Sequence, residues 1–165
     1  MLQNFLNTKK GRASVFVVAL LIALVALFAG GTRTKPAAEC SAPELVLGGT
    51  HIMLSLAQTP AEQERGLSGH APLTPNEGML FLFDDAAPKQ FWMKDMLFPL
   101  DIIWISPEWK VNAWAADALP ESYPAIFTSP DNTKYVLEVA AGTAKRLLLT
   151  QGTSSAFISC GTKNQ

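Results

Sequence analysis

Between residues 51 and 159 the chain repeatedly alternates apolar and polar side chains with a period of two, and this narrows the accessible folds more than any other feature. In His51–Leu56, Ile52, Leu54 and Leu56 share one face. Met79–Phe83 and Leu100–Ile105 are apolar on both faces, Asp101 excepted, which predicts strands covered on both sides. Phe91–Met93, Trp109–Ala116, Tyr135–Val139 and Ser155–Ser159 complete the set, and Ser106-Pro107-Glu108 supplies a turn before Trp109. Two short helices interrupt them. Thr59-Pro60-Ala61-Glu62 reads as a capping box with proline at the first helical position, and Gly66 can close that helix in the left-handed conformation. Gly142-Thr143 opens a second, with Lys145 to Leu149 on one face and Gly152 as its end. Strands outnumber helices and do not alternate with them regularly, so a doubly wound parallel sheet is not expected. The predicted class is mainly β, a compact β-sandwich or rolled barrel with two short helices over its open ends.

The N-terminal part is different. Lys9-Lys10-Gly11-Arg12 precedes 15 consecutive apolar residues, Val15–Ala29, which Ala13, Ser14, Gly30 and Gly31 extend to 19. A membrane-spanning helix needs about 20 residues, or about 17 with snorkelling flanks, and a signal-peptide core roughly 7–15. Either way the basic end stays in the cytoplasm and the rest of the chain lies outside it. We read residues 13–31 as one N-terminal hydrophobic helix, a single-pass anchor in the inner membrane; cleavage before Thr32 would instead give a periplasmic or secreted protein. Lipidation of Cys40, in Ala37-Ala38-Glu39-Cys40, is opposed by the glutamate. The expected organisation is a cytoplasmic basic end (1–12), the anchor (13–31), a Gly-, Pro-, Ala- and Thr-rich tether (32–43), the β-rich domain (44–160) and a short tail (161–165).

Charge follows the same division. Of 13 Lys+Arg and 14 Asp+Glu, residues 1–38 hold five basic side chains and no acid, which leaves 8 basic and 14 acidic residues, a balance of −6, in 39–165. An acidic domain with no basic stripe is not built to bind a phosphate backbone, so no nucleic-acid partner is expected. Two cysteines are too few for a disulfide scaffold or a four-thiolate zinc site. Outside the cytoplasm thiols pair, and Cys40 and Cys160 bracket the domain. Their bridge would close a loop worth about 4–5 kcal/mol by chain entropy; two free thiols are the alternative.

Several stretches carry a resemblance. Gly78-Met79-Leu80-Phe81-Leu82-Phe83, then Phe91-Trp92-Met93-Lys94-Asp95-Met96, then Pro99-Leu100-Asp101-Ile102-Ile103 occur in order. Arg65-Gly66-Leu67 precedes them and Tyr135-Val136-Leu137-Glu138-Val139-Ala140-Ala141-Gly142 follows. Together they resemble the uncharacterised bacterial and archaeal family "domain of unknown function 192", over about residues 51–159. Ser68 and His70 stand where that family usually has methionine and arginine, and Asp95 and Met96 where it often has asparagine and threonine or valine. The resemblance implies a compact sandwich of jelly-roll type with short helices, and no established activity.

The polar residues within apolar segments are the remaining signal. Asp101 precedes four apolar residues, so its carboxylate is expected to be buried and to need a cation or several donors. Lys94, Arg65 and the amides of the 94–98 turn are the candidates. It is either a structural staple or a ligand-binding acid. Glu138 lies mid-strand beside Val136, either solvated or paired with Arg65. The expected function is a cell-envelope binding domain for a small polar or zwitterionic ligand or an envelope protein, with Arg65, Lys94, Asp101 and Glu138 lining its cleft. One alternative is a hydrolase of envelope carbohydrate with Asp101 and Glu138 as acid and base, their carboxyls roughly 5–9.5 Å apart. The other is a scaffold in a membrane complex, docking through an apolar patch near Trp109 or Trp114. No catalytic residue can be named, and no cofactor or metal is expected. His51 and His70 stand alone, Met53, Met79, Met93 and Met96 could suggest Cu(I) but Met79 and Met93 lie in apolar strands and read as core filling, and no nucleophile elbow or phosphate loop occurs. Trp92 and Trp104 are expected in the core and Trp109 on the surface.

Overall fold

The computed structural model describes residues 42–159. The expected anchor, most of the tether and both Cys40 and Cys160 lie outside the described residues. Among the described residues no helix is long and apolar enough to cross a membrane.

The strands are β1 (Glu44–Leu47), β2 (Thr50–Ala57), β3 (Glu77–Leu82), β4 (Gln90–Phe91), β5 (Leu100–Ile105), β6 (Val111–Ala118), β7 (Phe127–Thr128), β8 (Tyr135–Ala140) and β9 (Ser155–Ile158). The helices are α1 (Pro60–Arg65) and α2 (Thr143–Arg146). Seven strands form one sheet in the order β6-β5-β8-β3-β2-β1-β9, and β4 and β7 pair separately. The mainly β class and the two short helices agree with the sequence reading, but two facing sheets of a jelly-roll sandwich do not form. One curled, mixed sheet carries the fold. Its β2–β3 pair is parallel because α1 and the following loop carry the chain back across the sheet.

The curl closes at one end. Val111 N donates to Thr153 O (2.9 Å), Gly152 N to Val111 O (2.8 Å) and Ser155 N to Trp109 O (2.7 Å), so the outer strands β6 and β9 meet. Each strand of the sheet sends apolar side chains inward, among them Leu47, Ile52, Leu80, Ile103, Val111 and Leu137, with Phe157 at the margin. The opposite face is just as apolar, through Met79, Phe81, Ile102, Trp104 and Val136. It is covered by the 66–73 and 91–98 segments and the β4–β7 pair, which supply Leu67, Phe91, Met93, Met96 and Phe98. That accounts for central strands lacking a polar face. Gly78 is required by this layering: a Cβ there would lie 2.8 Å from the Glu138 carbonyl oxygen and 3.0 Å from Val139 Cγ1. At the margin of the sheet β1 is flanked by β2 and β9, with Glu44 opposite both Met53 and Ile158.

Local chemistry fixes the helices. Glu62 N donates to Thr59 Oγ1 (3.3 Å), while Glu62 Oε2 accepts from Thr59 N (2.9 Å) and Gln58 N (3.0 Å). These backbone hydrogen bonds hold the Glu62 carboxyl below its ordinary range. Gln63 Nε2 donates to Leu82 O (2.9 Å) and so docks α1 on the end of β3. Thr59→Ala is expected to lower unfolding stability by about 1 kcal/mol, measured by urea denaturation; no change would mean that the docking of α1, not its cap, sets its stability. The second helix ends at Arg146 rather than near Gly152, because Leu148 turns left-handed at φ 50°. The strand expected from Trp109 begins at Val111 instead. Ser106 N donates to Lys110 O and Trp109 N to Ser106 O, a tight turn that puts Trp109 at φ 58°.

Candidate functional site

Strand register decides where the two interior carboxylates point. Leu54, Gly78, Val139 and Asp101 form one row across the sheet, and Ser55, Met79, Glu138 and Ile102 the next. Adjacent rows face opposite sides. Asp101 therefore points inside the curl and Glu138 to the other face, and the sheet lies between them. The carboxylate pair required for the hydrolase reading does not form.

Asp101 is fully buried. Its Oδ1 accepts from Asp117 N (2.9 Å) and Gly142 N (3.2 Å), and its Oδ2 from Ala144 N (2.7 Å). Two of these donors are orphan amides at the start of α2, which has no cap from its own N-cap residue. The third is exposed by a bulge: Leu100 pairs with Ala118 but Ile102 with Ala115, leaving an extra residue in β6, and Asp117 turns to φ 51°. The staple reading holds, but with backbone amides as partners instead of Lys94, Arg65 or the 94–98 turn. Asp101 lines none of the three cavities described below.

Glu138 is only 5% exposed. It is neither solvated nor paired with Arg65. Its Oε2 is one of three buried side-chain polar atoms without a hydrogen-bond partner among the described residues, with Trp104 Nε1 and Thr133 Oγ1. Of the three, Glu138 alone lines one of the three cavities described here. Desolvation pushes its carboxyl up to about 8, so it is mostly protonated at neutral pH. A protonated carboxyl both donates and accepts.

The cavity beside it, about 410 Å³, lies between the C-terminal end of α1, the sheet and β4. That is the size of a small-ligand site. Phe81 and Glu138 rise from the sheet, and Phe81 meets Phe91 edge-on with centroids 5.0 Å apart. Phe83, Trp92 and Met96 complete its apolar lining. Gly66, at φ 50°, turns the chain out of α1 directly against Glu138: a Cβ there would lie 3.7 Å from Oε2 and 3.4 Å from Phe81 Cζ. Lys89 lines the cavity but is engaged, with its Nζ 2.8 Å from Asp85 Oδ1 and 4.6 Å from the centre of the Phe83 ring. That ion pair holds the Asp85 carboxyl below its ordinary range.

Arg65 ends α1 and lines this cavity and an adjoining hollow of about 310 Å³. The hollow also holds Lys94, Glu64, Ser68, Trp92 and Asp95. Ser68 Oγ donates to Lys94 O (2.9 Å) and Gly69 N to Asp95 O (3.0 Å), which fastens the 66–69 loop to the 93–96 turn and brings Arg65 and Lys94 to one rim. Among the described residues neither cationic group makes an ion pair. Of the four residues expected to share a cleft, the structure brings together Arg65, Lys94 and Glu138 and leaves Asp101 out. It also exchanges two tryptophans: Trp92 is 40% exposed at the cavity, whereas Trp109 is half-buried and stacks on Tyr135 (3.9 Å between centroids, 10° between planes). A third cavity, about 400 Å³, lies between β2 and the 70–73 segment and contains His70; His51 is elsewhere, paired with Glu44 at 2.8 Å.

No curated protein matches this chain. Solved structures similar to it include the following two. A Sinorhizobium meliloti 1021 protein described as a candidate transcription regulator is 32% identical, with a TM-score of 0.64 over 70% of this chain and 91% of that one. A Novosphingobium aromaticivorans DSM 12444 protein of unknown function is also 32% identical, with a TM-score of 0.67 over 74% of this chain and 98% of that one. Residues 44–157, which span every strand from β1 to within one residue of the end of β9, match DUF192, described as an uncharacterised ACR; the chain belongs to that family.

Proposed function

We propose that this protein is a cell-envelope binding module, held at the inner membrane through residues 13–31, whose outward-facing domain takes up a small organic molecule beside Glu138. One observation carries the reading: a ligand-sized, aromatic-lined cavity borders a buried carboxyl that has no partner of its own. Such a carboxyl costs stability in the empty protein, and a ligand that hydrogen-bonds to it recovers that cost. Asp101, the acid that the hydrolase reading pairs with Glu138, lies on the opposite face of the sheet, so binding is favoured over that acid/base mechanism. The acidic balance of −6 over residues 39–165 gives no reason to extend a transcription-regulator role to this chain.

The test is a thermal-shift screen of the full-length chain against amino acids, sugars and aromatic carboxylates. A binder at 100 times its dissociation constant should add about 2.7 kcal/mol of stability. Trp92→Ala, at the exposed edge of the cavity, should reduce that gain. A screen without a binder, or a binder indifferent to Trp92→Ala, would overturn the cavity as the site. The address is tested separately by adding protease to spheroplasts. Degradation of the domain with the membrane intact is expected, and protection until lysis would refute it.

A further inference from the structure

Building on the cavity reading, we propose that the ligand is a zwitterion with an apolar body, an apolar amino acid or a short peptide of such residues, its ammonium on Glu138 and its carboxylate between Arg65 and Lys94.

Glu138 Oε2 is a buried oxygen without a donor, walled by Phe81 and closed over by Gly66. A neutral amide N–H would satisfy it. A primary ammonium does more, because it supplies a donor together with the charge that makes ionisation of Glu138 favourable in an apolar setting. The other charged groups lining that cavity are Glu64, Arg65 and Lys89, and Lys89 is already held by Asp85. A ligand carrying only positive charge would pass Arg65, which makes no ion pair among the described residues. A carboxylate at its other end turns that cation into a contact, since a guanidinium binds a carboxylate through two parallel hydrogen bonds. The adjoining hollow supplies Lys94 as a second cation, with Glu64 and Asp95 alongside. With two charges of each sign, it matches a monoanionic carboxylate rather than a phosphate. Trp92, Arg65, Ser68 and Glu64 line both spaces, so one molecule can occupy the two together. Between its ends, Phe83, Phe91, Trp92 and Met96 provide apolar surface for its body.

The experiment is calorimetric titration of the full-length chain at pH 7 with L-phenylalanine and with phenylalanyl-glycine, each in two buffers of different ionisation enthalpy. Phenylalanine tests an ammonium and carboxylate on one carbon, and the dipeptide tests the longer separation. Saturable binding of either, with close to one proton released per ligand, is expected, because Glu138 is protonated in the free protein and ionised in the complex. Glu138→Gln should weaken binding at least tenfold and abolish proton release, and Arg65→Ala should weaken phenylalanine more than phenethylamine, which has no carboxylate. N-acetylphenylalanine, which offers an amide N–H but no ammonium charge, should bind at least tenfold more weakly than phenylalanine. If N-acetylphenylalanine or 3-phenylpropionate binds as well as phenylalanine and Trp92→Ala still weakens it, the zwitterion is wrong and the cavity reading survives. If none of these compounds binds, the zwitterion is also refuted, and the thermal-shift screen decides the cavity independently.

Discussion

Raising the pH from 5 to 8 should cost the folded domain about 3.5 kcal/mol, and Glu138→Gln should remove most of that dependence. Unfolded, this carboxyl titrates at 4.5, and folded it titrates at about 8. Between those values the native state holds a proton that the unfolded chain has released. The stability it contributes is complete below pH 4.5, falls by about 1.4 kcal/mol per pH unit above it, and is gone once the pH passes about 8. The hydrogen-bonded carboxyls Glu62, Asp85 and Glu108 are shifted the other way, so they stabilise above the ordinary carboxylate range and weaken the fold only under more acid conditions. Since a domain of this size has a total stability of about 5–15 kcal/mol, the change should be plain in urea unfolding at pH 5, 6.5 and 8. Above pH 8 Glu138→Gln should be the more stable protein. Parallel profiles for the two would show that water reaches the carboxyl after all.

Asp101→Ala should lower stability by about 3–5 kcal/mol, because it removes the acceptor of three amide donors at once, that of Ala144 buried and those of Asp117 and Gly142 part-buried, and leaves a cavity in place of a fully buried carboxylate. Asp101→Asn separates the contributions. Its amide oxygen can keep the bonds from Asp117 and Gly142, while its NH₂ opposes the Ala144 N–H, and the expected loss is smaller, about 1–3 kcal/mol. Hydrogen exchange should locate the damage, with the amides of Asp117, Gly142 and Ala144 losing protection before those of β3. If Asp101→Ala unfolds at the wild-type midpoint, the carboxylate is not what fastens α2 to the sheet.

Half-buried strands are readable because their side chains must alternate, and β2 follows from its side chains alone. The doubly apolar Met79–Phe83 and Leu100–Ile105 announced burial on both faces but not its source, since a second sheet and a layer of loops demand the same residues. Two-residue β7 and four-residue β1 are too short to show a periodicity, and neither is among the expected strands. The capping box of α1 was legible because it is chemistry between neighbours in sequence. The site was only half legible. Asp101 and Glu138 are equally conspicuous in sequence, yet a one-residue step in the β5–β8 register puts them on opposite faces, and register is a property of paired strands. Trp92 and Trp109 were misplaced for a related reason. The turn at 106–110 folds Trp109 back on Tyr135 and Phe157, while the 93–96 turn fastens to the 66–69 loop and leaves Trp92 at the rim.

The position of Glu44 directly opposite Ile158 bears on engineering the domain. In antiparallel partners the Cα atoms are only about 4.5–5.5 Å apart, so a linker of a few residues could join the end of β9 to the start of β1. New termini could then be opened at Gly48-Gly49, the β1–β2 hairpin, giving a circular permutant that keeps every sheet pairing and leaves the Glu138 cavity untouched.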